Sequence, residues 1–340
     1  MAYDIWNRRY TGSKYKLSSW IVDLIMNNCE GESFCDLFAG TAIISKLMLD
    51  HSSEVFINDF LFSNEIIYKA FFDQKKFDVN IIKRYKNIFN TVDPTSLPDN
   101  YISENFGNKF FSFNDAKKIG YIRESIDQLN DINDKERNIL IASLLYSADK
   151  SANTVGHYDA YIKGKTIPDS FTFELINPYE FENKTIHIFR EDANALAKRI
   201  KCDIVYIDPP YNSRQYSRFY HILENIARWE KPKLYGEACK PRPENMSEYC
   251  RNSATQTFSD LINSLNCKYI VVSYNNTYNS KSSSSQNKIS LENIKDILDK
   301  KGSVTVFEKP HQFFNAGKTN LENHKELVFI AKVGDKNDRC

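Results

Sequence analysis

Two hydrophobic rhythms run along the chain. Toward both ends, short apolar runs alternate with amphipathic stretches; in the middle only helical spacing appears. "SFCDL", Ser33 to Leu37, is a short apolar strand. It breaks at Ala39-Gly40-Thr41 and gives way to helix-like spacing through Ile43, Ile44, Leu47 and Met48. "EVFINDF" predicts a second strand ending on Asn58-Asp59, and "KTIHIFRED" with "ANALAKRI" predicts a third followed by a helix. "KCDIVYIDPPY" and "CKYIVVSYNN" read as two more strands, the second followed by the helical "LENIKDILDKK". "SVTVFEK" and "KELVFIAKV" close the pattern with no helix between them. Strand–helix alternation predicts an α/β fold, a largely parallel, doubly wound sheet with helices on both faces. The closing strand pair, joined without a helix, has to be antiparallel.

From Phe62 to Asn183 the alternation stops. "DAKKIGYIRESIDQL" and "ERNILIASLLYSADK" are amphipathic helices, and "TVDPTSLPDN" and "KGKTIPDS" are proline-bearing loops. This predicts a mostly helical insertion, residues 62–183, between the second and third strands. Residues 1–61 and 184–340 then form one discontinuous sheet domain. The serine-rich "SKSSSSQN", Ser280 to Asn287, has too little apolar surface to order itself and reads as a mobile loop.

Composition adds bounds. The 340 residues carry 41% apolar and 26% charged side chains and a net charge of +1, an ordinary globular balance with no overall pull toward nucleic acid or membrane. Seven scattered cysteines form no Cys-x-x-Cys and none pairs with His at metal-ligand spacing, so no metal site is expected. The polar "MAYDIWNRRY" lacks a signal core, and no apolar run nears the ~20 residues needed to span a bilayer. A reduced, cytoplasmic protein with free thiols is expected.

Candidate chemistry gathers where strands end. Asp36 to Thr41, "DLFAGT", sits where the first strand turns into a helix, the place where open α/β sheets bind ligands. Gly40 lets backbone approach a ligand closely. The turn lacks both the three-glycine dinucleotide spacing and the Gly-Lys-Ser/Thr phosphate loop, so it suits a neutral or cationic nucleoside better than a polyphosphate. Asp59 can accept from ribose hydroxyls and Phe60 can stack on a purine; Asp59 as a turn or N-cap aspartate is the plainer reading.

At Asp208-Pro209-Pro210-Tyr211 neither proline has an N–H, so the ladder stops and a rigid edge presents acceptors. The Asp208 carboxylate and a neighbouring carbonyl can grip both hydrogens of a planar amine. Pulling them out of plane frees a lone pair otherwise delocalised into an adenine ring, which is stabilisation aimed at the transition state. Tyr211 offers a face for base stacking, about 1–3 kcal/mol per base.

In that order, "DLFAGT" and "DPPY" resemble the S-adenosylmethionine-dependent adenine-N6 DNA methyltransferases. More narrowly they resemble the D12 class, the Dam-like α-group of restriction-modification systems. "RRYTGSKYKL", "ADKSANTVGHYDAYIK", "DPPYNSRQYSRFYHILENIARWEKP" and "SYNNTY" extend the resemblance over most of the chain. It implies a Rossmann-like class I methyltransferase sheet of seven strands, the last antiparallel, with 62–183 as a target-recognition region. It further implies that Tyr10, Lys14, Asp36, Phe38, Gly40, Asp59, Phe60, Asp192, Ala193 and Asp208 hold S-adenosylmethionine. Asp208, Pro209, Pro210 and Tyr211 would be catalytic. The implied partners are double-stranded DNA and a cognate restriction endonuclease, the protein acting as a monomer on a flipped adenine.

For DNA contact the resemblance and local charge point to Asn153, Arg214, Arg218 and Lys240, with Arg228, Lys231, Lys233 and Arg242 completing a basic rim. Asn108 and Arg123 join Asn153 as base-reading candidates. The loop at 280–287 is expected to close over DNA. His221 and His311 read as packing or phosphate contacts. No Pro-Cys occurs, which disfavours cytosine-C5 chemistry, and aspartate rather than serine at 208 favours adenine over cytosine-N4. Three rival readings stand beside this one: an adenine-N6 RNA methyltransferase, a DNA-binding protein that has lost catalysis, and a protein-amide methyltransferase.

Overall fold

The computed structural model describes residues 2–277, 286–311 and 324–334. They pack as two compact units. One joins residues 14–60, 183–215 and 245–340 around the sheet, and the other joins 1–13, 61–182 and 216–244. The sequence division put 1–13 and 216–244 with the sheet; both segments pack instead with the insertion. For 216–244 the physical reason lies in His221–Arg228, a helix with Ile222, Leu223 and Ile226 buried that packs against the helices Phe62–Phe72 and Asp134–Ser151.

The sheet unit has seven strands: β1 Ser33–Asp36, β2 Glu54–Asn58, β3 Thr185–Phe189, β4 Ile204–Ile207, β5 Tyr269–Asn275, β6 Gly302–Pro310 and β7 Lys325–Val333. Their order is β3-β2-β1-β4-β5-β7-β6. β1 to β5 pair in parallel, and β7 runs antiparallel to both its neighbours. The strand order reverses between β1 and β4, so the switch point lies at their carboxyl ends. β4 and β5 read as continuous apolar runs because both are buried throughout. On one face Cys35, Leu37, Val205, Ile207, Ile270 and Val272 pack under Leu196, Phe258, Leu261, Ile294 and Leu298. Gly302 is dictated by β7: a Cβ there would stand 1.8 Å from the Lys332 carbonyl oxygen.

The second unit is helical. Asp134–Ser151 is its central helix, buried over most of its length from Ile139 to Asp149. Asn133 starts it with a capping box, accepting from the Glu136 amide while Glu136 returns to the Asn133 amide. Ser112 caps Phe113–Gln128 in the same position. Except for Gln286 and Asn287, the serine-rich stretch lies outside the described residues, so its expected closure over DNA does too.

Candidate active site

The carboxyl edge of the parallel strands is tied together by side chains. Asn58, at the end of β2, donates through Nδ2 to the Leu37 carbonyl (3.0 Å) and the Glu191 carbonyl (3.1 Å), and its Oδ1 accepts from the Glu191 amide (3.0 Å). One amide thus fixes the exits of β1 and β3 to β2. Gly40 takes φ +54°, a left-handed conformation that costs glycine nothing, and its N–H donates to Asp59 Oδ2 at 2.9 Å. Ala42 holds φ +58° just before the helix Ile43–Met48. Asp59 Oδ2 thus closes the Gly40 turn.

Beyond β4 the two prolines end the ladder and Asp208 enters a polar cluster. Lys14 Nζ lies 3.0 Å from Asp208 Oδ1, 3.2 Å from Glu326 Oε1 and 2.8 Å from the Tyr211 hydroxyl. The Tyr211 hydroxyl in turn lies 2.5 Å from Asp208 Oδ1 and 3.0 Å from Glu326 Oε1. Three ammonium hydrogens meet three oxygens; the single phenolic hydrogen serves one carboxylate at a time. Asp208 Oδ1 is thus doubly pinned, while Oδ2 accepts no hydrogen bond among the described residues. Burial pushes the Asp208 carboxyl up to about 6, with Lys14 opposing and Glu326 adding to the rise. For Lys14, burial favours the neutral amine, but Asp208 and Glu326 outweigh it and raise its pKa. Lys14 is placed as a partner of Asp208. The Tyr211 ring, expected as a free stacking face, leans on Tyr274 (centroids 4.4 Å apart), and its carbonyl accepts from the Tyr274 hydroxyl at 3.2 Å.

Glu326 escaped the sequence reading. It starts β7, and because β7 is antiparallel its start reaches the edge where the parallel strands end. Register pairs Asn275 with Glu326, so the acid arrives beside the exit of β5. The available signal was an acid heading the one strand predicted to run backwards.

Asp36 is buried at 1% exposure. Its Oδ2 accepts from Ser45 Oγ at 2.7 Å, while Oδ1 is buried without a hydrogen-bond partner. Burial raises its carboxyl to about 7, Asp208 and Asp59 contributing. An orphaned carboxylate oxygen near two further acids fits a ligand bearing a positive charge, such as an ammonium or sulfonium group. Phe38 meets Tyr249 edge-to-face at 5.1 Å, and the Tyr249 hydroxyl donates to Asn194 Oδ1 at 2.7 Å. Asp192 is exposed and caps Ala193–Ala197 by accepting from the Ala195 amide, while Ala193 is buried. Phe60 is half-buried beside Asp59.

Several expected contacts have structural work instead. Tyr10 belongs to the helical unit, stacked on Tyr220 (4.9 Å) and against Tyr216 (5.4 Å). Asn153 gives its side-chain amide to the Lys109 and Ile162 carbonyls, both at 2.9 Å, so as a base reader it would have only its oxygen to offer. Arg123 is buried and donates to the Ile226 and Ala227 carbonyls, closing the end of His221–Arg228. Asn108 sits at φ +57° in a tight turn. Three of the seven rim residues are in ion pairs: Lys240 pairs with Asp159, Lys231 with Glu124, and Arg228 with Glu230 and Glu244. Arg218 donates to the Pro241 carbonyl at 2.5 Å. Arg214 is half-buried in the sheet unit; Arg242 is exposed. His221 is a packing residue, its ring nitrogens 3.1 and 2.8 Å from the Arg218 and Ala238 carbonyls, and burial pushes its pKa down to about 4. Among the described residues no cysteine is in a disulfide, no cluster could hold a metal ion, and no helix is long and apolar enough to cross a membrane.

Comparison with known proteins gives a consistent result. The family profile described as D12 class N6 adenine-specific DNA methyltransferase matches residues 10–297. The chain is 29% identical over 333 residues to the type II methyltransferase M.NlaIII of Neisseria lactamica, covering 93% of this chain and 95% of that one. It is 31% identical over 338 residues to the type II methyltransferase M.CviAII of Paramecium bursaria Chlorella virus 1, covering 94% and 97%. It is 32% identical over 340 residues to the modification methylase StsI of Streptococcus sanguinis, spanning 94% of this chain but 50% of that protein.

Proposed function

The chain belongs to the D12 class of N6 adenine-specific DNA methyltransferases, and from that membership we propose that it methylates a flipped adenine in one short duplex sequence, using S-adenosylmethionine. The observation that carries the reading is the asymmetry of Asp208. One oxygen is pinned by Lys14 and Tyr211, while the other accepts no hydrogen bond among the described residues in a side chain 15% exposed. An adenine amine entering there meets Oδ2 and, from the rigid proline segment, the Pro209 carbonyl. These two acceptors hold its hydrogens away from the ring plane as positive charge builds on nitrogen. The part-exposed Tyr211 ring supplies a stacking contact. Pro209 and Pro210 keep the acceptors rigid.

S-adenosylmethionine supplies an activated methyl on a sulfonium. Its cationic end fits Asp36, whose Oδ1 has no partner. Phe38 and the Gly40 turn would line the methionine part, Asp59 with Phe60 would meet the ribose, and Asp192 with Ala193 would meet the adenine. Residues 62–183, with Arg214 and Arg218, are assigned to target DNA; Lys240 joins them only where its pair with Asp159 opens. We further infer a cytoplasmic monomer that protects DNA from a partner endonuclease, as expected for an enzyme of restriction-modification systems.

Transfer of labelled methyl groups from S-adenosylmethionine to unmethylated bacteriophage DNA, with RNA in parallel, tests this. Asp208→Asn should cut the rate at least about a hundredfold while the protein still binds DNA. Label on RNA alone, or an unimpaired Asp208→Asn, overturns the reading. Methylation-aware sequencing of the product gives the recognised word, and 2-aminopurine placed at the target adenine then reports flipping as a rise in fluorescence.

A further inference from the structure

The polar cluster holds one charge more than pinning Asp208 requires. Lys14 and Tyr211 alone would satisfy Oδ1; Glu326 is a second carboxylate, 3% exposed, brought in on a different strand. A buried anion is costly unless it is paired, and Glu326 shares Lys14, its one ion-pair partner among the described residues, with Asp208. Two effects follow from that geometry. Lys14 is held between two carboxylates, so its charge is divided and Asp208 stays electron-rich. The Tyr211 hydroxyl is held at 3.0 Å from Glu326 as well as 2.5 Å from Asp208, which fixes the ring whose backbone follows directly from the two prolines.

We propose that Glu326 is a positioning residue for methyl transfer: it holds Lys14 and Tyr211 so that Asp208 turns Oδ2 alone toward the amine. This deepens the assignment of Asp208 and rests on it. Glu326 touches neither substrate nor methyl donor in this arrangement; it acts through the two groups it holds. Charged and titratable groups face the cluster from every side. Lys14 comes from the segment before Ser18–Asn28, Asp36 from β1, Tyr206 from β4, Tyr211 from the proline segment, and His311 and His324 from the facing ends of β6 and β7.

The test is the pH dependence of single-turnover methyl transfer to unmethylated bacteriophage DNA, with Glu326→Gln, Glu326→Asp and Asp208→Asn compared with wild type. Glu326→Gln keeps the shape but removes the charge. The rate at saturation should fall about ten- to a hundredfold with KM for both substrates within about threefold, since an interaction used in the transition state is lost. Glu326 raises the Asp208 pKa, so losing its charge should move the acid limb of the rate profile to lower pH. Glu326→Asp keeps the charge and retracts the oxygens; it should lower the rate and leave the limb in place. This variant decides the matter if Glu326→Gln fails to fold, as judged by circular dichroism. A Glu326→Gln enzyme with wild-type rate and limb overturns the proposal, as does a fully active Glu326→Asp. If Asp208→Asn is itself fully active, the assignment of Asp208 falls instead, and the two failures are thereby told apart.

Discussion

At Asp36 the chain keeps an acid where burial opposes one. The side chain titrates near 3.8 when exposed and is raised to about 7 in the fold, first by burial. The folded state therefore holds the proton more tightly than the unfolded one. Stability from this group is full below about pH 4 and is lost as pH rises through about 7. Asp36→Asn removes the penalty, so its melting temperature should exceed wild type at about pH 8, with the gap narrowing toward about pH 5. The same substitution should weaken S-adenosylmethionine binding roughly tenfold or more at about pH 8, because a hydrogen bond to a charged group is lost. Wild-type affinity should rise between about pH 6 and pH 8 as the carboxylate ionises, and isothermal titration across that range checks both effects. A variant that is more stable yet binds the donor less well marks a residue kept for its ligand.

At the level of elements, Asn58 carries a load out of proportion to its size. It satisfies two carbonyls and one amide at the exits of two neighbouring strands. Asn58→Ala leaves these groups unpaired in a buried site and should cost about 1–3 kcal/mol in urea unfolding. Methyl transfer should fall as well, since the Gly40 turn departs from the same edge. All seven strands were legible in the sequence, because buried strands bounded by turn residues stand out and a helix-free pair permits only one direction. Asp208 and the glycine turn were legible for the same reason: local chemistry interrupts a strand. Glu326 was not, because register with β5 brings it to the Asp208 cluster from more than a hundred residues away in sequence. The roles of Arg123 and Asn153 were hidden similarly. A buried arginine closing a helix and an exposed one facing a phosphate look alike until packing is known.

Across the whole molecule, net charge of +1 leaves DNA attraction to local groups. Counting charge along a segment misled, because the acids that neutralise Lys240 and Lys231, Asp159 and Glu124, come from distant positions. Such pairs bring little to phosphate binding unless they break first. Lys240→Ala should therefore change the slope of log affinity against log salt very little, whereas Arg242→Ala, whose side chain is exposed, should reduce it by up to about 0.9 if the residue meets one phosphate. Fluorescence anisotropy over a salt series separates the two. The topology also constrains when activity can arise during synthesis. β7 emerges from the ribosome after the other six strands of this sheet, yet it inserts between β5 and β6 and delivers the acid at position 326. Until then β6 has no partner in the sheet and the lysine at 14 faces one carboxylate instead of two. A nascent chain halted before β7 would thus leave the outer strand of the sheet unpaired and the Asp208 cluster one acid short.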